Sequence, residues 1–163
     1  MATNADEFMQ LVQANRGIVH KLVGLYANSE EEKKDLYQEI LMQAWKGFSS
    51  FRGDAKFSTW LYRISLNTLL TAQRKPQKVD YRDSYEGLDW SEETDAARRE
   101  NARLLRQAIR QLPETERAII TLHLDGYANP EIAEMMGISV NNATVKLHRI
   151  KNQLITQLQP QLV

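Results

Sequence analysis

The stretch from Asn129 to Leu154, NPEIAEMMGISVNNATVKLHRIKNQL, sets a glycine between two helical apolar patterns, and this constrains the fold more than any other part of the chain. Asn129 is a cap residue followed by Pro130, which suits the first helical position because its missing N–H would have no intrahelical partner there. Ile132, Ala133, Met135 and Met136 then form a short apolar run that stops at Gly137, a residue free to turn sharply. Ser139 can cap a second helix in which Val140, Ala143, Leu147, Ile150 and Leu154 recur every three or four residues. At about 100° per residue, the opposite side carries Asn141, Asn142, Val145, His148, Arg149 and Asn152, with Lys146 and Lys151 at its flanks and no acid. The stretch reads as a helix-turn-helix whose exposed side offers the donors that meet base edges and phosphates. The plainer alternative is an antiparallel helix pair with a solvated polar face.

Long segments without Gly or Pro, of which the 163 residues hold seven and four, extend the helical expectation to nearly the whole chain. The absence of cysteine excludes disulfides, thiolate zinc sites and thiol catalysis, and agrees with a reducing cytoplasm. The start, MATNADEF, lacks the basic and apolar parts of a signal peptide, and no apolar run approaches the roughly 18 residues of a membrane span. A soluble, cytoplasmic chain without membrane insertion is expected. His20, His123 and His148 are scattered, with no carboxylate at metal-ligand spacing, and Arg52-Gly53-Asp54 is no phosphate-cradling loop. The reading is therefore of no enzyme, no metal and no cofactor. Net charge is zero, but unevenly spread: residues 1–75 carry 10 basic and 8 acidic side chains, 76–95 carry 2 and 7, and 96–163 carry 9 and 6.

Residues 5–27 read as one helix with Phe8, Leu11, Val12, Ile18, Val19, Leu22 and Val23 on its apolar side. Ser29 and Glu32 form a capping box opening a second helix to about Phe48, with Leu36, Ile40, Ala44, Trp45 and Phe48 buried and Asp35, Gln38, Glu39 and Gln43 exposed. The loop Ser49–Lys56 leads to a third helix from Ser58 to about Lys75, on which Trp60 belongs to the core and Arg63, Asn67 and Arg74 share a flank. Residues 76–94, which hold most of the excess acid, read as a linker. A fourth helix runs from Thr94 or Asp95 to about Gln111, and a fifth from Glu114 to Leu124 packs Ala118, Ile119, Leu122 and Leu124.

Taken in order, these pieces resemble the extracytoplasmic-function (ECF) type of bacterial sigma factor, which keeps the second and fourth conserved regions of the larger family. The resemblance rests on Asp35-Leu36-Tyr37-Gln38-Glu39, Phe51-Arg52-Gly53 and Lys56-Phe57-Ser58-Thr59-Trp60-Leu61-Tyr62-Arg63-Ile64, followed by Asn67 and Arg74-Lys75. In the second half it rests on Leu112-Pro113-Glu114 with Arg117, Glu131-Ile132-Ala133, Gly137-Ile138-Ser139 and Leu147-His148-Arg149. It implies an all-α fold of two small modules, residues 1–75 (region 2) and 95–163 (region 4), joined by the acidic linker. It further implies a transcription-initiation factor that binds core RNA polymerase and directs it to the −10 and −35 elements of promoter DNA. Asp35, Gln38, Glu39 and Gln43 would meet the clamp of the beta-prime subunit, and the second module would meet the flap of the beta subunit. Phe51, Arg52, Lys56, Trp60, Arg63, Asn67, Arg74 and Lys75 would handle the −10 element and its opening, including a base turned out of the stack. Asn141, Asn142, Val145, Lys146, Arg149 and Lys151 would serve the −35 element. An anti-sigma factor is a further partner that the resemblance admits.

Two departures from the larger family carry consequences. Primary sigma factors have neighbouring aromatics where this chain has Arg63-Ile64, which implies weaker melting and a stricter promoter requirement. Ala143 stands where relatives often place a larger aliphatic, which implies thinner packing under the recognition helix. Two other functions stay in contention on sequence: a stand-alone helix-turn-helix regulator binding palindromic DNA, and a helical anti-sigma-like adaptor with no DNA role.

Overall fold

In a computed structural model that describes residues 3–73 and 96–161, those residues form eight α-helices and no strand. They fall into two compact units, one within residues 1–88 and one within 89–163. The linker residues 76–94, together with Arg74 and Lys75, lie outside the described residues.

The first unit holds α1 (Asn4–Ala14), α2 (Arg16–Tyr26), α3 (Glu30–Phe48) and α4 (Phe57–Gln73). The single helix expected over 5–27 is two, because Asn15 leaves helical geometry (φ −120°, ψ 13°) and turns its side-chain amide back onto the Leu11 carbonyl at 2.8 Å. Asparagine competes with the backbone in this way, and the apolar period runs through the break undisturbed, so the pattern does not register it. The break lets α1 lay Phe8 against Trp45 and Phe48 of α3, with ring centroids 5.1 and 5.2 Å apart. Trp45, expected inside, is 47% exposed, because it sits about 100° round α3 from the buried Ala44 and packs on Phe8 by one edge. Ser29 caps α3 by accepting from the Glu32 amide, but Glu32 reaches the Asn28 N–H at 2.9 Å rather than that of Ser29, which changes the expected capping box. In α2, Leu22, Val23, Leu25 and Tyr26 are all buried, as is Ala27 just after it, and the helix packs on α3, which buries Leu36 and Ile40, and on α4, which buries Leu61, Tyr62, Leu66 and Leu69.

The second unit holds α5 (Ala96–Arg110), α6 (Glu114–Leu124), α7 (Asn129–Met136) and α8 (Val140–Leu158). Pro113 breaks the chain between α5 and α6, and Arg117 closes the gap by donating from Nη2 to the carbonyls of Arg110 and Leu112, at 2.7 and 3.0 Å. This gives the Leu112-Pro113-Glu114 and Arg117 combination a structural purpose: the guanidinium caps the end of α5. Ala108, Ile109, Leu112, Ala118, Ile119, Leu122, Ile132, Ala133, Leu147 and Ile150 make the core. Leu124 is not among them, being 45% exposed at the last position of α6.

Candidate nucleic-acid interface

In the second unit, Gly137 ends α7 in the left-handed conformation (φ 69°), and the Ile138 N–H closes the turn on the Ala133 carbonyl at 3.0 Å. Two residues later, Ser139 caps α8 by accepting from the Asn142 N–H at 3.1 Å. The turn between the helices is therefore locked at both ends. Ala143, Leu147, Ile150 and Leu154 form the buried stripe of α8, continued by Leu158. Val140 lies on the same side by angle but is 48% exposed, because it occupies the first turn of the helix. Ala143 is only 1% exposed, so the small side chain lies fully inside, under the first turns of the helix.

Asn141, Asn142, Val145, His148, Arg149 and Asn152 all lie exposed on the opposite side of α8, and Lys146 and Lys151 are half-buried at its two edges. The Asn152 amide lies 3.2 Å from His148 Nε2, one turn back along the same face. Lys151 borders His123 of α6, whose ring pKa is lowered by partial burial and then by the lysine charge. Asn129, expected as the cap of α7, is instead its first helical residue, behind a cap at Ala128 that makes no side-chain bond. Its Nδ2 donates across to Thr144 Oγ1 of α8 at 3.2 Å. Sequence reasoning missed Thr144 because it lies between the apolar stripe and the polar face and belongs to neither period.

In the first unit, the loop between α3 and α4 is fixed at each end by aromatic rings. The Phe51 centroid is 5.2 Å from that of Trp60 and 5.7 Å from that of Phe57, which in turn lies 6.3 Å from Phe48. Phe51 and Trp60 are half-buried within this cluster, so Trp60 borders the core rather than filling it. Arg52 and Lys56 are exposed between the two anchors, and Gly53 takes the positive φ of 79° that the turn requires. Arg63 and Asn67 are exposed on α4.

Asp35, Gln38, Glu39 and Gln43 are exposed along α3, with Gln43 donating to Glu39 at 2.9 Å. An open groove of about 780 Å³ between α3 and α4 is lined by Asp35, Glu39 and Gln43 on one side and by Asn67, Thr68 and Thr71 on the other. Residues assigned from sequence to polymerase contact and to DNA contact thus share one groove.

Two family descriptions match: Sigma-70 region 2 over residues 11–79, and Sigma-70, region 4 over residues 102–154. The ECF RNA polymerase sigma-E factor of Escherichia coli K12 is 34% identical over 168 residues, covering 94% of this chain and 87% of that protein. The RNA polymerase sigma-H factor of Pseudomonas aeruginosa is 31% identical over 160 residues, covering 88% and 83%. Among solved structures, the sigma factor RpoE in complex with the anti-sigma factor NepR from Bartonella quintana superposes with a TM-score of 0.68 at 18% identity, over 95% of this chain and 98% of that one. CnrH in complex with the cytosolic domain of CnrY gives 0.65 at 24%, over 94% and 88%. These two share the fold. The two matched regions span most of the sequence, and the chain belongs to the sigma-70 family as a transcription-initiation sigma factor of the ECF group.

Proposed function

We propose that this sigma factor assigns its tasks to three surfaces. The exposed row Asp35, Gln38, Glu39 and Gln43 on α3 docks on the beta-prime clamp of core RNA polymerase, while the second module takes the flap of the beta subunit. The loop from Phe51 to Lys56 and the face of α4 bearing Trp60, Arg63 and Asn67 receive the −10 element, with Arg74 and Lys75 continuing that cationic stripe in sequence. The polar face of α8 enters the major groove at −35, with Asn141, Asn142, Val145 and Arg149 toward bases or backbone and Lys146 and Lys151 toward phosphates. Region 2 occupies residues 1–75 and region 4 residues 95–163, with the acidic stretch 76–94 as their tether.

The observation that carries this reading is the face of α8: amides and cations, no acid, held outward by a buried stripe behind a locked turn. The protein acts by binding, without catalysis of its own, in the cytoplasm where polymerase and promoters meet. No described helix is long and apolar enough to cross a membrane. An anti-sigma partner is part of the proposal, supported by the RpoE relative in its complex with NepR.

The deciding experiment adds the protein to core polymerase on genomic DNA and reads the transcription start sites. Start sites sharing two upstream elements support the proposal. A lack of sigma-dependent starts, or tight palindromic binding without polymerase, overturns it.

A further inference from the structure

The reading end of α8 follows a fixed turn but buries few side chains of its own. Over residues 140–145, Ala143 is the one buried side chain, and a single methyl group does little to fix how a helix is rolled about its axis. A polar contact sits at that end. The Thr144 hydroxyl donates to the Val140 carbonyl at 2.9 Å, which uses its proton and leaves an oxygen lone pair for the Asn129 amide, 3.2 Å away on α7. Thr144 is about 60° round the helix from Asn141 and about 100° from Val145, so roll at this point moves the reading side chains with it.

The geometry makes such roll costly to recognition. With side chains reaching about 5–6 Å from the helix axis, a roll of about 10° moves their ends by roughly 1 Å. The donor–acceptor window for a good hydrogen bond is only about 0.5 Å wide. We propose that Asn129 is a positioning residue for promoter reading: by holding Thr144 it sets the roll of α8, and with it the alignment of Asn141, Asn142 and Val145 on base edges. This rests on α8 being the −35 reader.

The test is run-off transcription with core polymerase on a promoter and its single-base −35 variants, using N129A, T144V, T144S, the double variant N129A/T144V, and R149A. Thr144→Val keeps the shape without the hydroxyl, whereas Thr144→Ser keeps the hydroxyl. N129A and T144V should each narrow the discrimination between the parent promoter and its variants by about threefold or more, a part of the full loss expected on removing a base contact. T144S should retain it, and the double variant should be no worse than the worse single. Unchanged discrimination in N129A, an equal loss on every promoter, or multiplied losses in the double variant would overturn the proposal. N129A decides the matter alone if T144V fails to fold. R149A separates the two levels: discrimination lost in R149A but kept in N129A removes only the brace, and discrimination kept in both removes the assignment of α8 as well.

Discussion

Replacing Phe51 by alanine separates anchoring the −10 loop from touching DNA directly. Full burial would make a Phe-to-Ala change cost about 3–5 kcal/mol. Phe51 is half-buried, with Trp60 and Phe57 as its near ring partners, so roughly half that range applies, about 2 kcal/mol. Over a unit of fewer than a hundred residues, 1 kcal/mol shifts the melting temperature by about 4–8 °C, which puts the expected drop near 10 °C. Phe51→Leu keeps apolar volume but loses the aromatic pairings, and should fall by about half as much. Thermal unfolding followed by tryptophan fluorescence suits the measurement, since Trp60 lies against the deleted ring. Promoter opening, read by permanganate reactivity of unpaired thymines, should fall in parallel with the stability loss across the two variants. A melting temperature within about 2 °C of the parent in F51A would refute the anchoring reasoning, since an unanchored ring contributes nothing to the fold.

Arg149→Ala removes one candidate base contact and should cost about 1–3 kcal/mol at a single −35 position, seen as roughly 5–150-fold lower promoter use with relaxed preference there; a loss equal at all positions would reassign it to phosphate. Ser139→Ala deletes the cap bond to Asn142 and should lower the urea-derived stability by about 1 kcal/mol, and no shift of the midpoint would remove the cap from the account. His123 has a lowered pKa in the folded state, so the unfolded chain takes up the proton first as pH falls. Its stability contribution is complete above the unfolded value near 6.5 and is lost as pH drops from there through the folded value. Urea midpoints measured from pH 7.5 to 5 should therefore fall less steeply in H123Q, and identical slopes would contradict the assignment.

The candidate reading face was legible because a helix has one period and α8 obeys it. Burying Ala143, Leu147, Ile150 and Leu154 leaves Asn141, Val145 and Arg149 only the opposite side to occupy. Gly137 and Ser139 were equally legible, since positive φ and capping are local preferences of those residue types. The misreadings share a cause. Val140 and Leu124 have the right spacing but sit at helix ends, where exposure depends on whether another element extends far enough to cover them. Trp45 depends on the direction of α1, which the bend at Asn15 sets and the apolar period does not reveal.

The sequence by itself determined the all-α class, the helix-turn-helix with its polar face, and the ordered motifs of the sigma regions. All of these follow from single-residue chemistry and short-range periodicity. The tertiary structure alone decided that Asn129 spends its amide on Thr144 instead of capping its own helix, that Phe51 packs into an aromatic cluster, and that Asn67 shares a groove with Asp35 and Glu39. Each joins groups from different elements, whose distance is set by how those elements pack rather than by the order of residues within one.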